Sequence, residues 1–200
     1  NGLDLATLIK NKSWMGGQLT LSLDDRNNKL MPTRGINWET TLRVLNGMNS
    51  YSNSLTQLNS EMSLYTSFSK NAGFVLATRF GAGINFSNNF EFFQAQYLGS
   101  MEGLRGYRRY RFAGKAMAYN NVEMRIKVAD FRTYLFPGSI GLLFFNDVGR
   151  VWVKNDTSSI WHDGYGAGIW FSPLHRLAIT ASAAFSKEGT LPLVTLGWQF

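Results

Sequence analysis

Covalent or acid–base chemistry needs nucleophiles, titratable groups or metal ligands held together, and this 200-residue chain offers few of them. Cysteine is absent, which removes thiolate nucleophiles, disulfides and thiolate-bound metals at once. The two histidines, His162 and His175, are too few for a histidine-built metal centre. Ser159, His162 and Asp163 are the right types for a triad, but close neighbours in a loop give the hydroxyl no oriented base. Asp24-Asp25 with Asn27 and Asn28 lacks the D-x-D-x-D-G order and terminal Glu of a calcium loop, and reads as a solvated turn. Gly164-Tyr165-Gly166-Ala167-Gly168 imitates a phosphate-cradling loop, yet no helical pattern follows it. Its glycines share one strand face, where they would thin a wall against something packed on it. No catalytic residue, metal or cofactor is expected, and the chain is not read as an enzyme.

The densest chemistry lies in Met101-Glu102-Gly103-Leu104-Arg105-Gly106-Tyr107-Arg108-Arg109-Tyr110-Arg111-Phe112-Ala113-Gly114, where arginines alternate with aromatics. Such a patch can bind single-stranded nucleic acid by pairing phosphates and stacking bases. What positions it points elsewhere, so no nucleic-acid partner is expected.

On either side the chain alternates with a period of two, the spacing that sends successive side chains to opposite faces of a strand. Leu19, Leu21 and Leu23 oppose Gln18, Thr20, Ser22 and Asp24; Ile36, Trp38, Leu42 and Val44 oppose Asn37, Glu39, Thr41 and Arg43. Leu58, Met62, Leu64 and Phe68 follow, then Phe74, Leu76, Phe80, Ile84 and Phe86 opposite Arg79, Gly81, Gly83 and Asn85. After the interruption at 87–114 the pattern resumes. Val122, Met124, Ile126 and Val128 oppose Asn121, Glu123, Arg125 and Lys127, and four more segments cover 140–153, 164–171, 177–186 and 194–200.

Nine such segments, apolar on one face, match the signature of a transmembrane β-barrel. A water-soluble sandwich also alternates, but it loads its polar face with Lys and Glu. Here only 16% of residues are charged, with a net charge of +7; the polar face carries Gly, Ser, Thr, Asn and Gln, and aromatics gather near strand ends as interfacial girdles do. No apolar run approaches the roughly 18 residues of a spanning helix. Residues 1–14 show no charged start and apolar stretch of a signal peptide, and the opening Asn1-Gly2-Leu3 favours a processed or excised product. All of 1–200 is read as one domain.

At this point the chain resembles the BamA/TamA-like barrels of the outer-membrane insertase and translocase superfamily, also called the bacterial surface antigen domain. Leu104-Arg105-Gly106-Tyr107 looks like its [VL]-R-G-[FY] loop signature, and Arg111-Phe112-Ala113-Gly114 and Asn121-Val122-Glu123-Met124-Arg125 like its RFAG and N-x-E-x-R segments. Phe145-Asn146-Asp147-Val148-Gly149 is similar to its aromatic-x-D-x-G strand, and Asp25 to Gly35 to its D-x-R…P-T-[RD]-G turn. The resemblance implies an arginine loop that folds from the outer side into the lumen, where Arg105 meets Glu123 and Asp147. It implies Phe200 at the periplasmic end, with Leu196, Trp198 and Phe200 as a C-terminal assembly signal on the last strand. It further implies an outer membrane of a Gram-negative bacterium, a lipid environment, and client polypeptides or barrel-assembly machinery as partners. The expected function is assembly or translocation of polypeptides; the alternative is a passive barrel serving as membrane anchor, pore or scaffold, as the membrane part of a longer chain.

The family's barrel has sixteen strands behind POTRA modules, and the nine segments here correspond to its last nine. Three architectures stay open: a closed antiparallel barrel of about eight strands with one segment outside the wall, a half-barrel completed by oligomerising, or a fragment. The first is the expected one, because an open edge in lipid leaves backbone groups unsatisfied.

Overall fold

The computed structural model describes residues 10–69, 71–132, 134, 136–153 and 159–200; the opening residues 1–9 lie outside it. Each alternating segment gives a wall strand, though residues 197–200 of the last one do not. The wall strands are β1 (Trp14–Asp24), β2 (Gly35–Gly47), β3 (Leu55–Ser67), β4 (Phe74–Asn85), β7 (Ala116–Arg132), β8 (Pro137–Trp152), β9 (His162–Pro173), β10 (Ile179–Ser186) and β11 (Gly189–Leu196). They form one sheet in the order β1-β2-β3-β4-β7-β8-β9-β10-β11, antiparallel at each junction. All nine expected segments therefore join the wall, and none is set aside from it. Between β4 and β7 the chain leaves the sheet, forms a single 3-10 turn (Phe92–Gln94), and pairs β5 (Gln96–Leu98) with β6 (Phe112–Gly114) as a small ribbon.

The two faces obey opposite rules. Along β4, Val75, Ala77, Arg79, Gly81, Gly83 and Asn85 are buried, while Phe80 and Ile84 on the other face are exposed. Exposed leucines, isoleucines and phenylalanines on a convex face, over an interior of Arg, Glu, Asn and Tyr, invert the arrangement of a water-soluble sheet. The interior is not uniformly filled. Both faces of β1 are exposed, whereas the inner faces of β4, β7 and β8 are covered by loop and tail. Among the described residues no ladder joins β1 to β11.

The last two strands differ from the alternation. A two-residue connection, Lys187-Glu188, closes the β10–β11 hairpin, so β11 starts at Gly189 rather than near Val194. Pro192 hides this strand in the sequence because it lacks an N–H; it is tolerated since β11 is an edge. The strand then stops at Leu196. Gly197 has φ +98, a conformation that disfavours any side chain, and it turns residues 198–200 out of the wall and into the interior.

Candidate functional site

The arginine loop occupies the concave side of the sheet. Leu104, Arg105 and Tyr107 are at most 3% exposed, in a segment with no regular secondary structure. Two glycines make that path possible. Gly106 has φ +90 and hands its carbonyl to the Ser186 hydroxyl at 2.7 Å. On β9, a Cβ at Gly164 would stand 1.9 Å from the Arg105 carbonyl oxygen, so the wall is thinned where the loop touches it.

Arg105 is held on three sides. Its Nε and Nη2 donate to the two oxygens of Asp147, each at 2.7 Å, and its backbone N–H donates to the same carboxylate at 2.9 Å. Nη1 donates to Glu123 at 2.6 Å, and the guanidinium lies 3.7 Å from the centre of the Phe145 ring. The Asp147 pairing is the two-pronged fork that only arginine makes. Burial works against the charge of Arg105, but hydrogen bonds and Coulomb attraction from Asp147 and Glu123 outweigh it and hold the guanidinium pKa above its ordinary value. Tyr107 donates to the Asp163 carbonyl at 3.2 Å and packs edge-on against Phe112, and burial pushes its phenol up. Asn121 fixes the loop from the other side by donating to the Gly103 carbonyl at 2.8 Å.

The network extends beyond the residues singled out in the sequence. Glu123 also accepts from Arg125 Nε at 2.8 Å, and Arg125 in turn donates to Pro32 and Phe200 main-chain oxygens. Arg79 donates to Asn121 and to the Gln199 carbonyl, and lies 3.7 Å from Glu61, which also accepts from the Tyr119 hydroxyl. Three cations, Arg79, Arg105 and Arg125, thus stand among three anions, Glu61, Glu123 and Asp147. Arg125 was legible as a candidate, because it lies two residues after Glu123 and so shares its strand face. Arg79 gave the same signal, a lone cation on the glycine-rich face of β4.

The three C-terminal residues separate. Leu196 stays on the outward face of β11, 76% exposed. Trp198 sits under Arg125, whose guanidinium is 4.0 Å from its ring, and edge-on to Trp170. Phe200 lies near Arg79 and Tyr65. The structure therefore does not keep them on one strand.

Other residues weighed in the sequence have their own contacts. His162 stacks on Phe112 with ring centres 3.9 Å apart, Asp24 grips Arg26, and no group of three or more potential metal ligands occurs among the described residues. Of the β9 glycines, Gly164 faces the Arg105 carbonyl and Gly166 the Phe145 ring, while Gly168 lies against Ala181 and Ser182 of β10.

A family model described as the Omp85 superfamily domain matches residues 10–200. Among solved structures, the chain is similar to BamA from Haemophilus ducreyi lacking POTRA domains 1-3, with 16% identity and a TM-score of 0.66. That match covers 90% of this chain and 41% of the other, so the chain spans less than half the length of the structure it resembles. No curated protein matches significantly.

Proposed function

The chain belongs to the Omp85 superfamily, and from that premise we propose that it forms part of an outer-membrane wall that helps assemble or translocate other polypeptides. The observation that supports this reading most is the buried Arg105 fork, which ties a long loop to β7 and β8 through Glu123 and Asp147. Tying a loop inside a wall stiffens one side of it while leaving both sheet edges free to pair. An incoming strand could then hydrogen-bond to the edge of β1 or β11, so that the wall acts as a template and no covalent step is needed. The membrane in question is the outer membrane of a Gram-negative bacterium, with unfolded client polypeptides as partners. Leu104, Arg105, Gly106 and Tyr107 are the loop's working residues in this reading, with Leu196, Trp198 and Phe200 serving the chain's own assembly.

The test is reconstitution of the chain into liposomes and measurement of the folding rate of an unfolded client barrel. Acceleration above both empty liposomes and liposomes holding an unrelated small barrel is expected. Equal rates would leave the second reading, a passive anchor, pore or scaffold, within which the crowded interior around Arg105 favours an anchor or scaffold.

A further inference from the structure

Polar side chains on the outward face of a membrane wall need partners, because hydrocarbon supplies none. Several are satisfied within the sheet itself. Trp38 and Thr40 both bond the Ser60 hydroxyl, and Asn120 donates to the Arg79 carbonyl. Asn146 and Tyr165 are different. They are direct partners in the β8–β9 ladder, both exposed on the outward face, Tyr165 at 54%. Neither the Asn146 amide nor the Tyr165 hydroxyl has a hydrogen-bond partner among the described residues.

Their depth makes this consequential. Along β8, Asn146 is six residues from Trp152, which meets Trp161 edge-on at one rim, and six from Ile140, whose ladder partner Phe171 stacks with Phe131 at the other. At about 3.4 Å per residue and a tilt of roughly 40°, Asn146 lies about 15 Å from each rim, at the middle of the apolar band.

We propose that Asn146 and Tyr165 form the centre of a docking face for a second copy of this chain, related by a twofold axis along the membrane normal. An amide and a phenol each donate and accept, so the pair is complementary to itself. An axis beside Asn146 lets the two amides bond reciprocally, or each amide bond the other copy's phenol. The shape around them is also self-complementary: Phe144 forms a ridge beside the hollow of Ala167 and Ala183, neighbours in the same row of the ladder. A second copy lies in the same bilayer with the same orientation, as the twofold requires. This inference rests on the membrane reading above.

The chain has no cysteine, so single introduced thiols report cleanly. Asn146→Cys, reconstituted in phosphatidylcholine liposomes and oxidised with copper-phenanthroline, is expected to give a disulfide-linked dimer, whereas Leu76→Cys on outward-facing β4 is not. Energy transfer between donor-labelled and acceptor-labelled copies should show association that weakens roughly tenfold in Asn146→Leu/Tyr165→Phe. Before oxidation, the Asn146→Cys thiol should resist a membrane-impermeant maleimide. A protected thiol with no dimer and no energy transfer overturns the docking face alone. A thiol labelled from water overturns the membrane reading, and the docking face with it.

Discussion

At the scale of single residues, the interior is governed by one rule: a buried charge is tolerated only while its partner stays. Removing the guanidinium in Arg105→Ala leaves Glu123 and Asp147 facing each other without a shared cation. Breaking a buried pair of this kind typically costs about 3–5 kcal/mol. The folded form should therefore unfold at a clearly lower temperature, as read from heat-modified mobility on a gel. Arg105→Lys should recover little of the loss, since an ammonium cannot reproduce the double contact with Asp147; recovery to the parental temperature would show that charge alone, not the fork, matters. Gly164→Val tests the same seat from the wall side. A side chain there meets the Arg105 carbonyl, so the loop should lift, and trypsin should cut after Arg108 or Arg109 faster than in the parent. Unchanged cleavage would mean that the loop seats without the thinned strand.

Whole elements were legible to different degrees, and the reasons are physical. Seven of the nine wall strands announced themselves because each has one apolar and one polar or glycine-rich face; β8, apolar on both faces at its start, was legible from its apolar run instead. Residues 189–193 did not, since Pro192 reads as a breaker unless the strand is known to be an edge. The tail is the more instructive case. Val194, Leu196, Trp198 and Phe200 have the same parity, so alternation alone predicts one strand running to the end. It could not reveal that Gly197 reverses the path, or that Arg79 and Arg125 give the two aromatic rings a better seat inside. The Arg105 partnership came only through resemblance, because partners 18 and 42 residues apart leave no local pattern. Gly197→Val is predicted to disfavour the turn, as a β-branched residue is strained at φ +98. A cysteine introduced as Gln199→Cys should then react faster with a membrane-impermeant maleimide than it does with Gly197 intact. Equal rates would place the hinge elsewhere.

For the whole molecule the question is how the sheet ends. Nine antiparallel strands put β1 and β11 in the same sense, so a closure that is antiparallel throughout requires an odd number of added strands. Seven would make sixteen, the number the family resemblance implies. Among the described residues no strand pairs with the outer edge of β1 or β11, and an unpaired edge is the feature on which templated strand addition would depend. The interior arginines and carboxylates carry a different implication. Because Arg79, Arg105 and Arg125 are matched in place by Glu61, Glu123 and Asp147, this part of the lumen presents little net field to a passing ion. Any current through a wall built on this chain should discriminate poorly between potassium and chloride, with a reversal potential near zero across a salt gradient in a planar bilayer. Arg105→Ala would leave one carboxylate unmatched and shift that potential toward cation preference.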